Sequence, residues 1–307
     1  MSADRISTVS VVIPTLRGGD RLAPTIERLQ RDASVGEIVL VDDRSDAMEP
    51  LLPAVPSLVR IVCTCGAVGP NRARQAGVER ARGEIVLLLD DDVVPAEGLA
   101  ARHATRHSKP GLVVVGYMPV PAPERPGAES LPRLLYRREY EKRVSGYERD
   151  PATILTHLWG GNMSLRRVDA LRVGIANPGF VGRRHEDREF GIRCARAGLV
   201  GVFDRALGAN HEYERSLEPF LADARVQGSE LVALGRLHPE AMDGARWSPG
   251  WADCIAHRCE PAAARALLAG VRLAGASQRH GVELMLLKAA RRIVRAAGAR
   301  EAWRAGQ

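Results

Sequence analysis

No stretch of the 307 residues approaches the roughly 18 consecutive apolar residues that span a bilayer, so no transmembrane helix is expected. A cleaved secretory leader is not expected either. The N-terminus carries one basic residue, Arg5, and the apolar run Val9 to Pro14 is short and flows straight into a strand pattern. Aromatic residues make up only 4% of the chain and no recognised nucleic-acid module is present, which argues against a nucleic-acid partner. Cysteine is scarce: there are five, an odd number in a chain too long to need disulfide staples. Cys63 and Cys65 stand one residue apart, and Cys254, His257 and Cys259 cluster near the C-terminus in a spacing that fits no standard zinc module. Together these absences point to a cytoplasmic protein.

What is present suits a folded α/β chain. Hydrophobic residues make up 45%, enough for a full core. Lys plus Arg number 44 against 37 for Asp plus Glu, and the net charge of +7 favours anionic partners such as nucleotides or an anionic membrane surface. The first half alternates strand and helix signals. Val9–Ile13, Glu37–Val41, Leu58–Cys63, Glu84–Leu89 and Leu112–Val115 read as strands. Leu22, Ile26 and Leu29 recur at helical spacing, and Ala73–Ala81 reads as a second helix. Continuous apolar strands alternating with helices imply a mostly parallel sheet covered on both faces. The segment 117–157 differs: it holds five prolines, from Pro119 to Pro132, and then the charged run Arg137–Arg143. It reads as a surface loop followed by a helix. A helix is expected from about Asp187 to Ala197, closed by Gly198, a strand over Val200–Phe203, and helices after Arg215.

Ligands of open α/β sheets bind beyond the carboxyl ends of the strands, and three such ends carry polar or acidic residues: Pro14–Thr15, Asp42–Asp43 and Asp90–Asp92. Three carboxylates at a strand end repel one another unless positive charge sits among them. A divalent cation supplies it, through carboxylate oxygens, and such a cation can also hold a diphosphate; a solvated acidic turn is the alternative. Asp42–Asp43 can accept hydrogen bonds from a base or ribose, or can serve as a turn and cap. Glu186–Asp187 open a helix, where an acid is favoured by the dipole whatever its function. His211 stands alone between Asn210 and Glu212, as either a ligand or a structural residue.

In order and spacing the set resembles the family 2 glycosyltransferases with the GT-A fold. The resemblance is carried by Val9–Thr15 (VSVVIPT), Glu37–Asp43 (EIVLVDD), Ala73–Gly77 (ARQAG), Gly83–Asp92 (GEIVLLLDDD), Gly160–Arg167 (GGNMSLRR), Glu186–Arg193 (EDREFGIR) and His211, so it covers residues 8–213. It implies a Rossmann-like GT-A sheet in a catalytic domain over 1–214, with 117–158 as a variable acceptor-side segment; residues 215–307 lie outside the resemblance and read as a helical extension. Pro14, Thr15 and Asp43 would line the nucleobase pocket with Asp42 close by, and Arg74 would lie near the nucleotide. Asp90 and Asp92 would form the D-x-D pair around Asp91, with Asp92 the direct ligand of Mn²⁺ or Mg²⁺ and His211 a further ligand. Gly161 and Asn162 would border the donor-sugar and acceptor region. Asp187 would be the catalytic base, with Glu186 its neighbour. Two departures touch donor contacts: Leu16–Arg17 replace the Tyr-Asn common after the first strand, and Gln75 stands where the family often has Asn. No Gln-x-x-Arg-Trp motif follows, which favours transfer of a single sugar.

The expected activity is therefore metal-dependent transfer from a nucleotide-sugar, UDP favoured, with inversion. The hydroxyl acceptor is left open among a lipid-linked glycan, a glycan, a peptide and a natural product. A non-catalytic sugar-nucleotide-binding protein of the same fold is the alternative, and a sugar-phosphate nucleotidyltransferase, suggested by Arg17–Leu22, a more distant one. Near the C-terminus Leu284, Leu287, Ile293 and Val294 interleave with Lys288, Arg291, Arg292 and Arg295. This amphipathic helix is expected to cover its own domain, with peripheral contact to the cytoplasmic face of an anionic membrane as the alternative.

Overall fold

The computed structural model describes residues 8–16, 18–44, 51–52, 54–64, 66–124, 127–242, 251–275 and 280–306. Arg5, Arg17 and Cys65 lie outside the described residues, as do the side chains of Cys254, His257 and Cys259. The chain divides into two compact units, residues 1–119 with 142–212, and residues 120–141 with 213–307.

In chain order the first unit contains β1 (Val9–Thr15), α1 (Ala23–Gln30), β2 (Val35–Asp42), β3 (Val59–Cys63), α2 (Pro70–Arg80), β4 (Ile85–Leu89), β5 (Val93–Pro95), α3 (Leu99–Arg106) and β6 (Leu112–Tyr117). The division falls within α4 (Leu131–Arg149), after which come β7 (Asn162–Arg166), α5 (Arg167–Val173), α6 (Glu186–Arg196) and β8 (Val200–His211). The strands form one sheet in the order β3-β2-β1-β4-β7-β6-β8-β5. Val and Ile runs make its centre: Val9, Val11, Val12, Ile13 and Val86–Leu89 are fully buried. Such branched side chains are favoured in strands covered on both faces. Helix α2 approaches this centre through Gly77, where a Cβ would strike the side chains of Val12 and Val41.

The topology gathers one edge. β1, β2, β3 and β4 are mutually parallel, so Thr15, Asp42 and the residues after Leu89 leave the sheet on the same side. β7 runs antiparallel to β4 with Asn162 opposite Leu89, which brings Gly160 and Gly161 to that edge. β6 is antiparallel to β7 and β8 is parallel to β6, so the end of β8 arrives there too. The sheet is thus mixed, its parallel half being the one that the sequence pattern predicts. β8 is longer than the expected Val200–Phe203. Its pairing to β6 jumps from Asp204 to Gly208, and His211 is its last residue, opposite Val93. The charged Asp204–Arg205 break the apolar run and hide this continuation.

The second unit is helical, built of the first half of α4 with α7 (Leu217–Leu237), α8 (Trp251–Gly275) and α9 (His280–Ala305). Its core joins Leu131, Leu135, Leu217, Phe220, Leu221, Val271, Leu284, Leu287 and Ala290. Residues 120–141, part of the segment expected on the acceptor side, pack with these helices. Leu284, Leu287 and Val294 of α9 are buried, and Arg291 is bound by Glu139 at 2.7 and 2.6 Å. The amphipathic helix therefore covers its own unit. No helix among the described residues is long and apolar enough to cross a membrane. α7 and α9 meet backbone to backbone: a Cβ on Gly228 would strike the Arg295 carbonyl, and one on Gly298 the Arg225 carbonyl. Gly228→Ala should therefore destabilise the protein by about 1–3 kcal/mol, the cost of overpacking a fitted contact, despite alanine's better helix propensity. Urea unfolding measures it, and an unchanged or raised midpoint would refute the close crossing.

Candidate active site

The edge is organised around a buried arginine. Arg74 lies on α2 with a side chain only 3% exposed. One guanidinium nitrogen donates to Asn71 Oδ1 at 2.8 Å and Asp187 Oδ1 at 3.0 Å, and the other to Asp90 Oδ1 at 2.5 Å. Burial works against this charge, but Asp90, Asp187 and Glu186 outweigh it and hold the guanidinium protonated. Asn71, one turn earlier on α2, also donates to the Glu186 carbonyl at 3.0 Å and so ties α2 to the start of α6. Asp187 takes a further hydrogen bond from the Gly160 N–H at 2.8 Å. Its acidity is weakened by burial and by Asp90, while Arg74 pulls the other way. Gly160 and Gly161 are small for a reason. A Cβ on Gly160 would come within 2.8 Å of the Asp187 carboxylate, and one on Gly161, at φ +104°, within 2.6 Å of Asp90.

The three consecutive aspartates face three different partners. Asp90 turns to Arg74. Asp91 accepts a hydrogen bond from the Thr15 hydroxyl at 2.6 Å, and burial raises its pKa despite that bond. Asp92 lies beside His211, with Oδ1 3.4 Å from Nε2, and accepts the Glu212 N–H on its own carbonyl at 2.7 Å. Burial would raise its pKa, but the hydrogen bond and charge of His211 hold it below the usual carboxylate range. Among the described residues no group of three His, Cys, Asp or Glu side chains is arranged to hold a metal. The expected trio is therefore split: Asp92 and His211 are together, and Asp90 is drawn off by Arg74. As a donor set the pair fits a hard divalent ion. An oxygen and a nitrogen 3.4 Å apart compare with roughly 3 Å between adjacent ligands of an octahedral ion with bonds near 2.1 Å.

At the expected nucleobase end, Asp43 is already a structural hub. Its carboxylate accepts from the Thr64 hydroxyl at 2.7 Å and from the backbone N–H groups of Val68 and Gly69, each at 3.0 Å. It thereby shapes the loop leading into α2. Asp42 is gripped by Arg44 through two bonds of 2.8 Å, and that hydrogen bonding lowers its pKa. Pro14 remains partly exposed on β1. Gln75 donates to Glu79 and accepts from the Ile175 N–H at 2.6 Å, so it fastens α2 to the segment before α6. Beside this loop lies a cavity of about 410 Å³, lined among others by Gly69, Arg72, Phe180, Arg183 and Glu186.

With this geometry in place, comparison with known proteins decides the family. The glycosyl transferase family 2 profile matches residues 10–173, more than half of the chain. The chain belongs to glycosyl transferase family 2. The matched region runs from β1 through α5 and so spans the positions of Thr15, Asp43, Arg74 and Asp90–Asp92, while Asp187 and His211 lie beyond it. The succinoglycan biosynthesis protein ExoO of Rhizobium meliloti (strain 1021) is 35% identical over 92 residues, which is 29% of this chain and 26% of that protein. The chain thus matches only about a quarter of this curated relative's length. Among solved structures, the mannosyltransferase PcManGT from Pyrobaculum calidifontis, in complex with GDP-Man and Mn²⁺, aligns over 98% of this chain and 88% of its own, with a TM-score of 0.59 at 16% identity. GalNAc-T7 with UDP, GalNAc and Mn²⁺ aligns over 80% of this chain and 53% of its own (TM-score 0.53, 20% identity). Glucosyl-3-phosphoglycerate synthase from Mycobacterium tuberculosis, with Mn²⁺, UDP and phosphoglyceric acid, aligns over 75% and 79% (TM-score 0.50, 18% identity). At these identities the likeness shows the fold, GT-A.

One part of this family 2 site had no signal in the motifs. Asn162, expected beside the donor sugar, is fully buried and its side chain points into the core. Its amide donates to the Leu207 carbonyl at 2.9 Å, and its oxygen lies 3.0 Å from His103 Nε2. Ser164 Oγ sits 2.8 Å from His103 Nδ1 and 2.7 Å from His107 Nε2. One proton arrangement satisfies the chain: His107 Nε2–H donates to Ser164, the Ser164 hydroxyl donates to His103 Nδ1, and His103 Nε2–H donates to Asn162. Both rings are neutral in it. Burial accordingly pushes the pKa of His103 down to about 3 and that of His107 to about 4, from 6.5. The network holds the start of β7, next to Gly160 and Gly161, and in it the Asn162 side chain is bound to the core. Below pH 6.5 the unfolded chain protonates these rings while the folded chain does not, so their contribution to stability is full above 6.5 and is lost as pH falls toward 4. His107→Gln keeps a donor and removes one ring. Between pH 8 and 5 its unfolding free energy should fall less than that of wild type, the difference reaching about 2 kcal/mol at pH 5, as read by urea unfolding at each pH. An identical pH slope would show that His107 is not held neutral.

Proposed function

We propose that the protein transfers a sugar from a nucleoside-diphosphate sugar, UDP being the favoured carrier, to a hydroxyl acceptor with inversion at the anomeric carbon. What carries the reading is the pairing across Arg74. The Asp187 carboxylate is held by a backbone N–H and a guanidinium on the same edge as Asp90–Asp92, and this provides a base on one side and an acidic, cation-binding group on the other. The structural relatives solved with GDP-Man or UDP together with Mn²⁺ support the donor class and the cation.

In this reading Asp92 and His211 would hold the divalent ion, with Asp90 as the further carboxylate. When bound, it would supply positive charge for a departing diphosphate, which would then need no proton. Thr15 and Asp43 shape the nucleoside end, Asp43 through the 66–69 loop that it organises. The two glycines leave room for the donor sugar at the base. Asp187 takes the acceptor hydroxyl's proton as that oxygen attacks in line, through an oxocarbenium-like state. General-base assistance of this kind is worth about 100-fold to 10,000-fold. Burial makes Asp187 a stronger base than an exposed aspartate, while Arg74 keeps it charged and aimed.

Thermal unfolding with UDP, GDP and dTDP, each with and without Mn²⁺, tests the site. One nucleotide should stabilise wild type and Asp187→Asn only when Mn²⁺ is present, by about 2.7 kcal/mol at a hundredfold excess over Kd, and Asp92→Ala should lose the shift. Release of nucleoside diphosphate from the matching sugar donor should fall by about 100-fold or more in Asp187→Asn. Undiminished release by that variant would refute the base. Metal-dependent binding with no release by wild type under any acceptor would leave a sugar-nucleotide-binding protein of the same fold.

A further inference from the structure

We propose that Arg74 is an ionic stopper of the cation site. Its guanidinium holds Asp90, must surrender it to a bound divalent ion, and through its second hydrogen bond passes that event to Asp187. The proposal rests on the reading that Asp90 and Asp92 serve a cation.

The geometry carries it in three steps. First, Asp90 does not stand in a metal-holding group with Asp92 and His211 among the described residues while Arg74 holds it. Oδ1 lies 2.5 Å from Arg74, and a charge-assisted bond of that kind is among the strong ones. An ion that draws Asp90 toward Asp92 and His211 must break it. Second, Arg74 cannot respond by giving up its proton, because a guanidinium stays charged in proteins. It must rebalance against another anion. Third, that anion is within reach. Asp187 shares the same guanidinium, and the carboxylates of Asp90 and Asp187 are 32% and 19% exposed against 3% for the arginine between them. Asn71 anchors one nitrogen in place, and Nε has no partner among the described residues. The guanidinium therefore pivots between two carboxylates from a fixed stem. Cation loading and the setting of Asp187 become one coupled event, which would favour binding of donor with metal before acceptor chemistry.

Mn²⁺ alone, titrated by electron paramagnetic resonance against the 307-residue chain, tests this without a donor or an acceptor. Arg74→Met should tighten Mn²⁺ binding about tenfold, the scale of one lost hydrogen bond to a charged group. Most of that gain should vanish in the Asp90→Asn background, because the pairing is then already gone. Arg74→Lys keeps the charge but cannot span both carboxylates. It should give a smaller gain, and it answers the question if the methionine variant does not fold. Asp187→Asn should weaken Mn²⁺ binding where Arg74 is present, since the guanidinium is then left to Asp90, and should have no effect in Arg74→Met. Unchanged or weaker Mn²⁺ binding in both Arg74 variants would overturn the stopper, as would an equal gain with and without Asp90. An Asp187 effect independent of Arg74 would overturn the relay. If wild type binds Mn²⁺ and Asp92→Ala does not, these failures fall on Arg74 alone. If wild type binds no Mn²⁺, the cation reading and the stopper fall together.

Discussion

A guanidinium that is almost entirely removed from solvent must be matched by anions or it will not stay buried. Arg74 is matched by Asp90 and Asp187, and the site follows from that requirement. The arginine is delivered to the edge by α2, which lies close to the sheet because Gly77 leaves no side chain between it and Val12 and Val41. Asp187 is delivered by the first turn of α6, which Asn71 ties to α2. Asp90 is the first residue beyond β4. Gly160 and Gly161 complete the fit, because any larger residue would intrude on one of the two acids. Removing the arginine leaves two neighbouring carboxylates without their shared cation, so the cluster depends on Arg74.

The second constraint is topological. Parallel β1, β2 and β4 present their carboxyl ends together, and the antiparallel β7 reverses into the same edge. Residues far apart in sequence, such as Thr15 and Asp91, thus become hydrogen-bond partners at 2.6 Å. The mixed half of the sheet brings His211 to Asp92. Here the long irregular β8 matters: without the three extra residues between the positions paired to Gly116 and Tyr117, His211 would leave the sheet at a different level.

Much of this was legible in the amino-acid order. The parallel half announced itself by unbroken Val, Ile and Leu runs, because strands buried on both faces need no alternation. The acids at their ends were visible as abrupt changes of polarity. What could not be read was direction. Asp90, Asp91 and Asp92 are one motif on the page, yet they point to Arg74, Thr15 and His211, since successive side chains leaving a strand diverge. Asn162 sits inside a conspicuous glycine-rich motif, yet its amide serves the core. The partners that turn it inward, His103 on α3 and the Leu207 carbonyl in β8, carry no recognisable spacing to it. Asn71 could have been found, being one helical turn before Arg74 on the same face.

In the proposed reaction, two opposing effects act on Asp187 as the base. Burial and the neighbouring Asp90 favour its protonated form. The first turn of α6, where Glu186 and Glu189 join it, favours a negative charge through the helix dipole, as does Arg74. Either influence alone would serve poorly. A carboxylate stabilised only by the arginine and the dipole would be too weak a base to take a hydroxyl proton, and one governed only by burial would already carry the proton it is meant to accept. A carboxylate held at that balance is sensitive to its arginine, so under the proposed roles Arg74 would influence the base without touching the acceptor.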